Sequence, residues 1–83
     1  MDKKWRYNIG IILKSYNLPN SKEGFFYYLV NSTDWLFTKM KITTRFPKSM
    51  TDCIKKENFR KYSIKERFLC YSWEELYRLI RID

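Results

Sequence analysis

Gly24-Phe25-Phe26-Tyr27-Tyr28-Leu29-Val30, followed by Asn31-Ser32-Thr33-Asp34 and then by Trp35 to Thr44, is the stretch on which the fold turns. The first segment is an unbroken run of rings and aliphatic side chains. The middle four residues are turn formers, and the third segment is rich in β-branched and aromatic residues. Run, turn and run predict a β-hairpin. On the second strand Trp35, Phe37, Lys39, Lys41, Thr43 and Arg45 share one face, and Leu36, Thr38, Met40, Ile42 and Thr44 share the other. One sheet face then runs from core at Trp35 to solvent at Lys41.

Upstream, two periodicities compete. Trp5, Tyr7, Ile9, Ile11 and Leu13 alternate with Arg6, Asn8 and Ile12 as a half-buried strand does, whereas Trp5, Ile9, Ile12, Leu13 and Tyr16 follow helical spacing. The β-branched and aromatic content favours the strand. Asn17-Leu18-Pro19-Asn20-Ser21 is a turn by composition. Downstream, Pro47 closes the hairpin, and Ser49 N-caps a helix to about Asn58 with Met50, Cys53 and Ile54 inward. Residues 64 to 71 fit strand or helix equally. Ser72-Trp73-Glu74-Glu75 is a capping box opening a helix whose apolar stripe is Trp73, Leu76, Tyr77 and Ile80, with a Glu74–Arg78 pair on its surface.

These elements predict one compact α+β domain over residues 1–83, an antiparallel sheet of about three strands covered by two helices. An all-α fold is the alternative, and follows if Trp5 to Tyr16 and Ser21 to Asn31 are helical. The segment Glu23 to Asn31 resembles the first strand of the GIY-YIG nucleases, which also begins with glycine, an apolar residue and an aromatic one before a hairpin. The second half of that signature, Tyr-Ile-Gly on the next strand, is replaced here by Trp35-Leu36-Phe37-Thr38. The segment is therefore taken as an aromatic core strand.

Much catalytic chemistry is missing. The chain has no histidine, which removes the commonest general base and metal ligand. Cys53 and Cys70 lie apart with no CxxC, as packing thiols of a reducing compartment do. Gly10 and Gly24 are the only glycines, too few for a phosphate-cradling loop. The expectation is a non-enzyme with no metal and no cofactor. Trp5 to Leu13 is interrupted by Arg6 and Asn8, and the longest apolar run is Phe25 to Val30, so neither a signal peptide nor a membrane span is expected. The chain should be cytoplasmic. The absence of alanine beside abundant Lys, Ile, Asn, Tyr and Phe fits an AT-rich bacterial, phage or other viral gene.

Charge is what remains to carry function. The chain has a net charge of +8, and residues 39 to 67 hold ten cations against three acids, or +7 of it. Those cations are Lys39, Lys41, Arg45, Lys48, Lys55, Lys56, Arg60, Lys61, Lys65 and Arg67, and with Phe59, a ring exposed among them if the helix runs on past it and folded back into the core if the helix ends near Asn58, they form the candidate nucleic-acid-binding set. Cations neutralise phosphates, and interleaved rings stack on bases. The expected function is a small binding module for nucleic acid or a nucleoprotein. The alternative is a small inhibitor or adaptor, phage-encoded, that docks on a host protein such as a nucleic-acid-processing enzyme. With neither a histidine nor a thiolate cluster, thermal melts are expected to be unchanged by strong chelator and by reductant, and a large drop with either would overturn this reading.

Overall fold

The computed structural model describes residues 3–47 and 56–80, and they are helical. The helices are α1 (Lys3–Ser15), α2 (Lys22–Val30), α3 (Trp35–Thr44), α4 (Lys56–Phe59), α5 (Ile64–Cys70) and α6 (Trp73–Ile80). Among the described residues there is no strand, so the α+β expectation is overturned and the all-α alternative fits. Most of the helix placed from Ser49 to Asn58 lies outside the described residues.

Burial shows why each proposed strand is a helix. In α1, Ile9 and Leu13 are buried four residues apart, while Tyr7 and Ile11, which a strand would have turned inward beside them, are 70% and 51% exposed. In α2 the buried side is Gly24, Phe25, Phe26 and Leu29, with Tyr27 and Val30 outside, a helical and not an alternating pattern. In α3 Thr38 and Ile42 face inward, and Phe37, the strand partner of Trp35, is exposed. An unbroken apolar run carries no period of its own, so residues 24–30 satisfy a buried strand and a buried helix equally until packing chooses. The helical state of Glu23–Val30 also removes the resemblance to the GIY-YIG strand.

Local chemistry sets the boundaries. At the end of α1 the Leu18 and Asn17 N–H groups donate to the carbonyls of Leu13 and Lys14, and Asn17 takes the left-handed φ of 59°. This is a Schellman stop with asparagine in the place usually given to glycine. Ser21 caps α2 by accepting from the Gly24 N–H at 3.1 Å. Ser63 and Glu66 exchange hydrogen bonds at the start of α5, and Ser72 and Glu75 do so at the start of α6. The Asn31–Asp34 turn stands where the sequence puts it, but joins two helices.

All six helices feed one core. It comprises Ile9, Leu13, Phe25, Phe26, Leu29, Ile42, Phe59, Phe68, Tyr71, Leu76 and Leu79. α2 is central, packed against α1, α3 and α5, while α3 also meets α5 and α6. Phe25 lies 5.8 Å from Trp5, 6.0 Å from Phe68 and 5.7 Å from Trp73 between ring centroids, and Phe26 lies 5.4 Å from Phe68 and 5.5 Å from Trp35. Of the C-terminal stripe Leu76 is fully buried and Trp73 and Ile80 pack half-buried against the core, Tyr77 is half-buried, and Leu79, outside that stripe, is the second buried residue of α6. No described helix is long and apolar enough to cross a membrane.

The two glycines differ in what surrounds them. A Cβ on Gly24 would stand 2.0 Å from the Pro19 carbonyl oxygen, whereas one on Gly10 would meet the Asn20 side-chain amide at 3.1 Å. Gly24→Ala should therefore lower stability by about 1–3 kcal/mol despite a helix-propensity gain of about 1 kcal/mol, while Gly10→Ala should be near neutral because a flexible side chain can yield. Thermal melts of the two variants check this contrast, and equal melts would contradict it.

Candidate functional site

Where α3 ends, Arg45 leaves the helix in an extended conformation and Phe46 and Pro47 follow. The α4–α5 corner comes up against this end, brought there by the Phe59 ring, which packs edge-on to Phe46 at 5.1 Å. Between them is a cleft of about 180 Å³ lined by Thr43, Thr44, Arg45, Phe59, Arg60 and Arg67, with the half-buried Phe46. Among the described residues no carboxylate lines it.

The three arginines are held differently. Arg67 donates from Nε to the Phe59 carbonyl at 3.2 Å and from Nη2 to the Arg60 carbonyl at 2.5 Å, and its guanidinium lies 5.3 Å from the Phe59 ring centroid. It closes the carbonyl end of α4 and is fixed by doing so. Arg45 and Arg60 are exposed and make no side-chain hydrogen bond or ion pair among the described residues. The Thr43 and Thr44 hydroxyls both donate to the Met40 carbonyl at 2.9 Å, so they present acceptors, not donors, to the cleft. The α3 C-terminus adds about half a negative unit of helix dipole. Three full positive charges outweigh it, and the cleft remains strongly cationic.

The other predicted site residues scatter. Lys41 turns inward and donates to the Leu79 carbonyl at 2.6 Å, closing the end of α6. Lys65 is on the α2–α5 seam, 3.2 Å from Glu23 and 2.7 Å from the Tyr27 hydroxyl, which together hold its pKa above the usual lysine value, the tyrosine bond being the larger cause. Lys39 and Lys61 are exposed but outside the cleft lining. Lys48 and Lys55 lie outside the described residues, and Lys56 opens α4. Phe59 is corrected outright: its ring is only 3% exposed and is core, because the helix ends at that residue and turns it in against Phe46 and Tyr62.

Two surfaces were not read from the sequence. One is the outer side of α1, where Lys3, Arg6, Tyr7 and Lys14 line a groove. Helical spacing in that segment was the signal, and the strand reading hid it. The other is the outer side of α3, where Leu36, Phe37 and Met40 are 76%, 65% and 56% exposed. Among the described residues no group of three His, Cys, Asp or Glu side chains stands together to hold a metal ion. No protein-family model, no curated protein and no solved structure matches the chain.

Tyr71 ties the cleft to the core. Its buried hydroxyl donates to the Arg45 carbonyl at 3.0 Å, and burial, helped by Glu75 and opposed by Arg45 and Arg67, pushes its pKa up to about 12. A phenol that holds its proton more tightly folded than unfolded stabilises the fold fully below its ordinary pKa of 10.0, and that contribution is lost as pH rises toward about 12. The difference in phenolate absorbance between wild type and Tyr71→Phe should titrate with a midpoint near 12. A midpoint near 10 would place this hydroxyl in water instead.

Proposed function

We propose that this chain is a non-enzymatic module that binds nucleic acid or a nucleoprotein through the arginine cleft at the end of α3. The observation that carries the proposal is the convergence of Arg45, Arg60 and Arg67 on one cleft in whose lining no carboxylate stands among the described residues. Guanidiniums pair with phosphate oxygens in bidentate fashion, and displacement of condensed counterions supplies the affinity. The reading takes from the basic segment the three cations that line the cleft, of which Arg45 and Arg60 are exposed and Arg67 is held by the Phe59 and Arg60 carbonyls, and leaves out Lys41 and Lys65, which point elsewhere. The absence of histidine supports a binding role over catalysis.

A second reading, docking on a host protein as an inhibitor or adaptor, is favoured by the exposed Leu36, Phe37 and Met40 on α3. The test uses variants that leave internal contacts alone. Arg45→Gln with Arg60→Gln should weaken duplex binding at all sequences alike and lower the slope of log affinity against log salt by about two between roughly 50 and 200 mM. Fluorescence anisotropy measures both. An unchanged affinity and slope in a double variant that melts like wild type would overturn the cleft. Loss of protein capture in Phe37→Ser, with nucleic-acid binding absent from wild type, would favour the second reading.

A further inference from the structure

The groove beside α1 is built from a helix with four cations, Lys3, Lys4, Arg6 and Lys14, and no acid. Lys3, Tyr7, Ile11 and Lys14 follow one another at spacings of four, four and three residues and so share a helix face. The facing wall is the Asn20 side chain, which comes close over Gly10, and between them lies a groove of about 540 Å³. Arg6 is fixed at its side. Its Nη1 donates to Asn20 Oδ1 at 2.6 Å, its Nη2 donates to the Asn20 carbonyl at 3.4 Å, and its guanidinium stacks 3.9 Å from the Trp73 ring centroid. Tyr7, by contrast, is 70% exposed.

We infer that this groove is a single-stranded nucleic-acid site in which Tyr7 stacks on a base, between phosphates held by Lys3 and Arg6 on one side and Lys14 on the other. The two lysines are about 16 Å apart along the helix axis, the length of about four or five stacked nucleotides, so the cations span a strand and not one anion. A cationic groove with an exposed ring in it is the arrangement by which single strands are bound without regard to sequence. An anionic membrane surface would attract the same cations, and the vesicle arm of the test separates it from the strand. The inference shares with the arginine cleft only the nucleic-acid nature of the ligand, and it stands without the cleft itself.

The test is anisotropy of a fluorescent oligothymidylate strand, and of a duplex of equal length, titrated with the full chain. Tyr7→Ala should weaken strand binding by about tenfold to a hundredfold, Tyr7→Phe should retain it, and duplex affinity should change in neither, since duplex bases are already stacked. Lys3→Gln with Lys14→Gln should lower the salt slope on the strand by about 1.4. Strand affinity unchanged in a Tyr7→Ala protein that melts like wild type overturns the groove, as does a dependence on Tyr7 found with phosphatidylserine vesicles and not with the strand. Strand affinity lost in Arg45→Gln/Arg60→Gln but kept in Tyr7→Ala removes the groove, whereas strand affinity lost in Tyr7→Ala but kept in Arg45→Gln/Arg60→Gln supports the groove as the strand site, the duplex arm deciding the cleft separately. No measurable binding of the strand to wild type overturns the groove, and the duplex arm alone then decides the cleft.

Discussion

The packing of Phe25 and Phe26 on one side of α2 against Phe68 of α5 is the contact on which the rest of the structure depends. Successive residues on a helix point about 100° apart, so burying Gly24, Phe25 and Phe26 together obliges neighbours to close around about 200° of α2. Phe25 gathers Trp5 from α1 and Trp73 from α6, and Phe26 gathers Trp35 from α3. Aromatic rings bring large buried area at few rotatable bonds, which is how helices as short as seven or eight residues hold together here. The same closure brings the Pro19 carbonyl against Gly24, where any side chain would intrude.

Short helices have a second consequence, for charge. Each helix end leaves carbonyls without partners, and a fold with many ends has many such carbonyls to satisfy. Lys22 donates to the Leu69 and Tyr71 carbonyls at the end of α5, Lys41 to Leu79 in α6, and Arg67 to Phe59 and Arg60 at α4. Part of the basic composition is thus structural. The cations not so engaged are fewer than the count of lysines and arginines implies, and among the described residues Arg45 and Arg60 stand together at one cleft.

Much of the local structure was legible. Ser72-Trp73-Glu74-Glu75 announced the start of α6, and Ser63-Ile64-Lys65-Glu66, which has the same form and went unread, would have decided residues 64–70 for helix. The basic segment pointed to Arg45, Arg60 and Arg67 among its ten cations but had no means of separating them from Lys41 and Lys65. It left Phe59 open between an exposed ring and one folded into the core, because the direction of a ring at a helix end depends on what lies beyond that end, and the structure buries it. The groove on α1 was masked by the strand reading, in which Tyr7 faced the core.

By itself the sequence determined the caps, the turns at Asn17–Ser21 and Asn31–Asp34, the cationic excess and the lack of histidine, because each of these is a property of a residue and its near neighbours. Only the tertiary structure decided helix over strand for residues 5–13, 24–30 and 35–44, and with it which rings are core and which cations are exposed. Those segments are apolar on too many sides, or carry two periods at once, so their local preferences nearly cancel. The deciding free energy comes from burying Phe25, Phe26 and Ile42 against α5 and α6, residues distant in the chain whose positions no local pattern encodes.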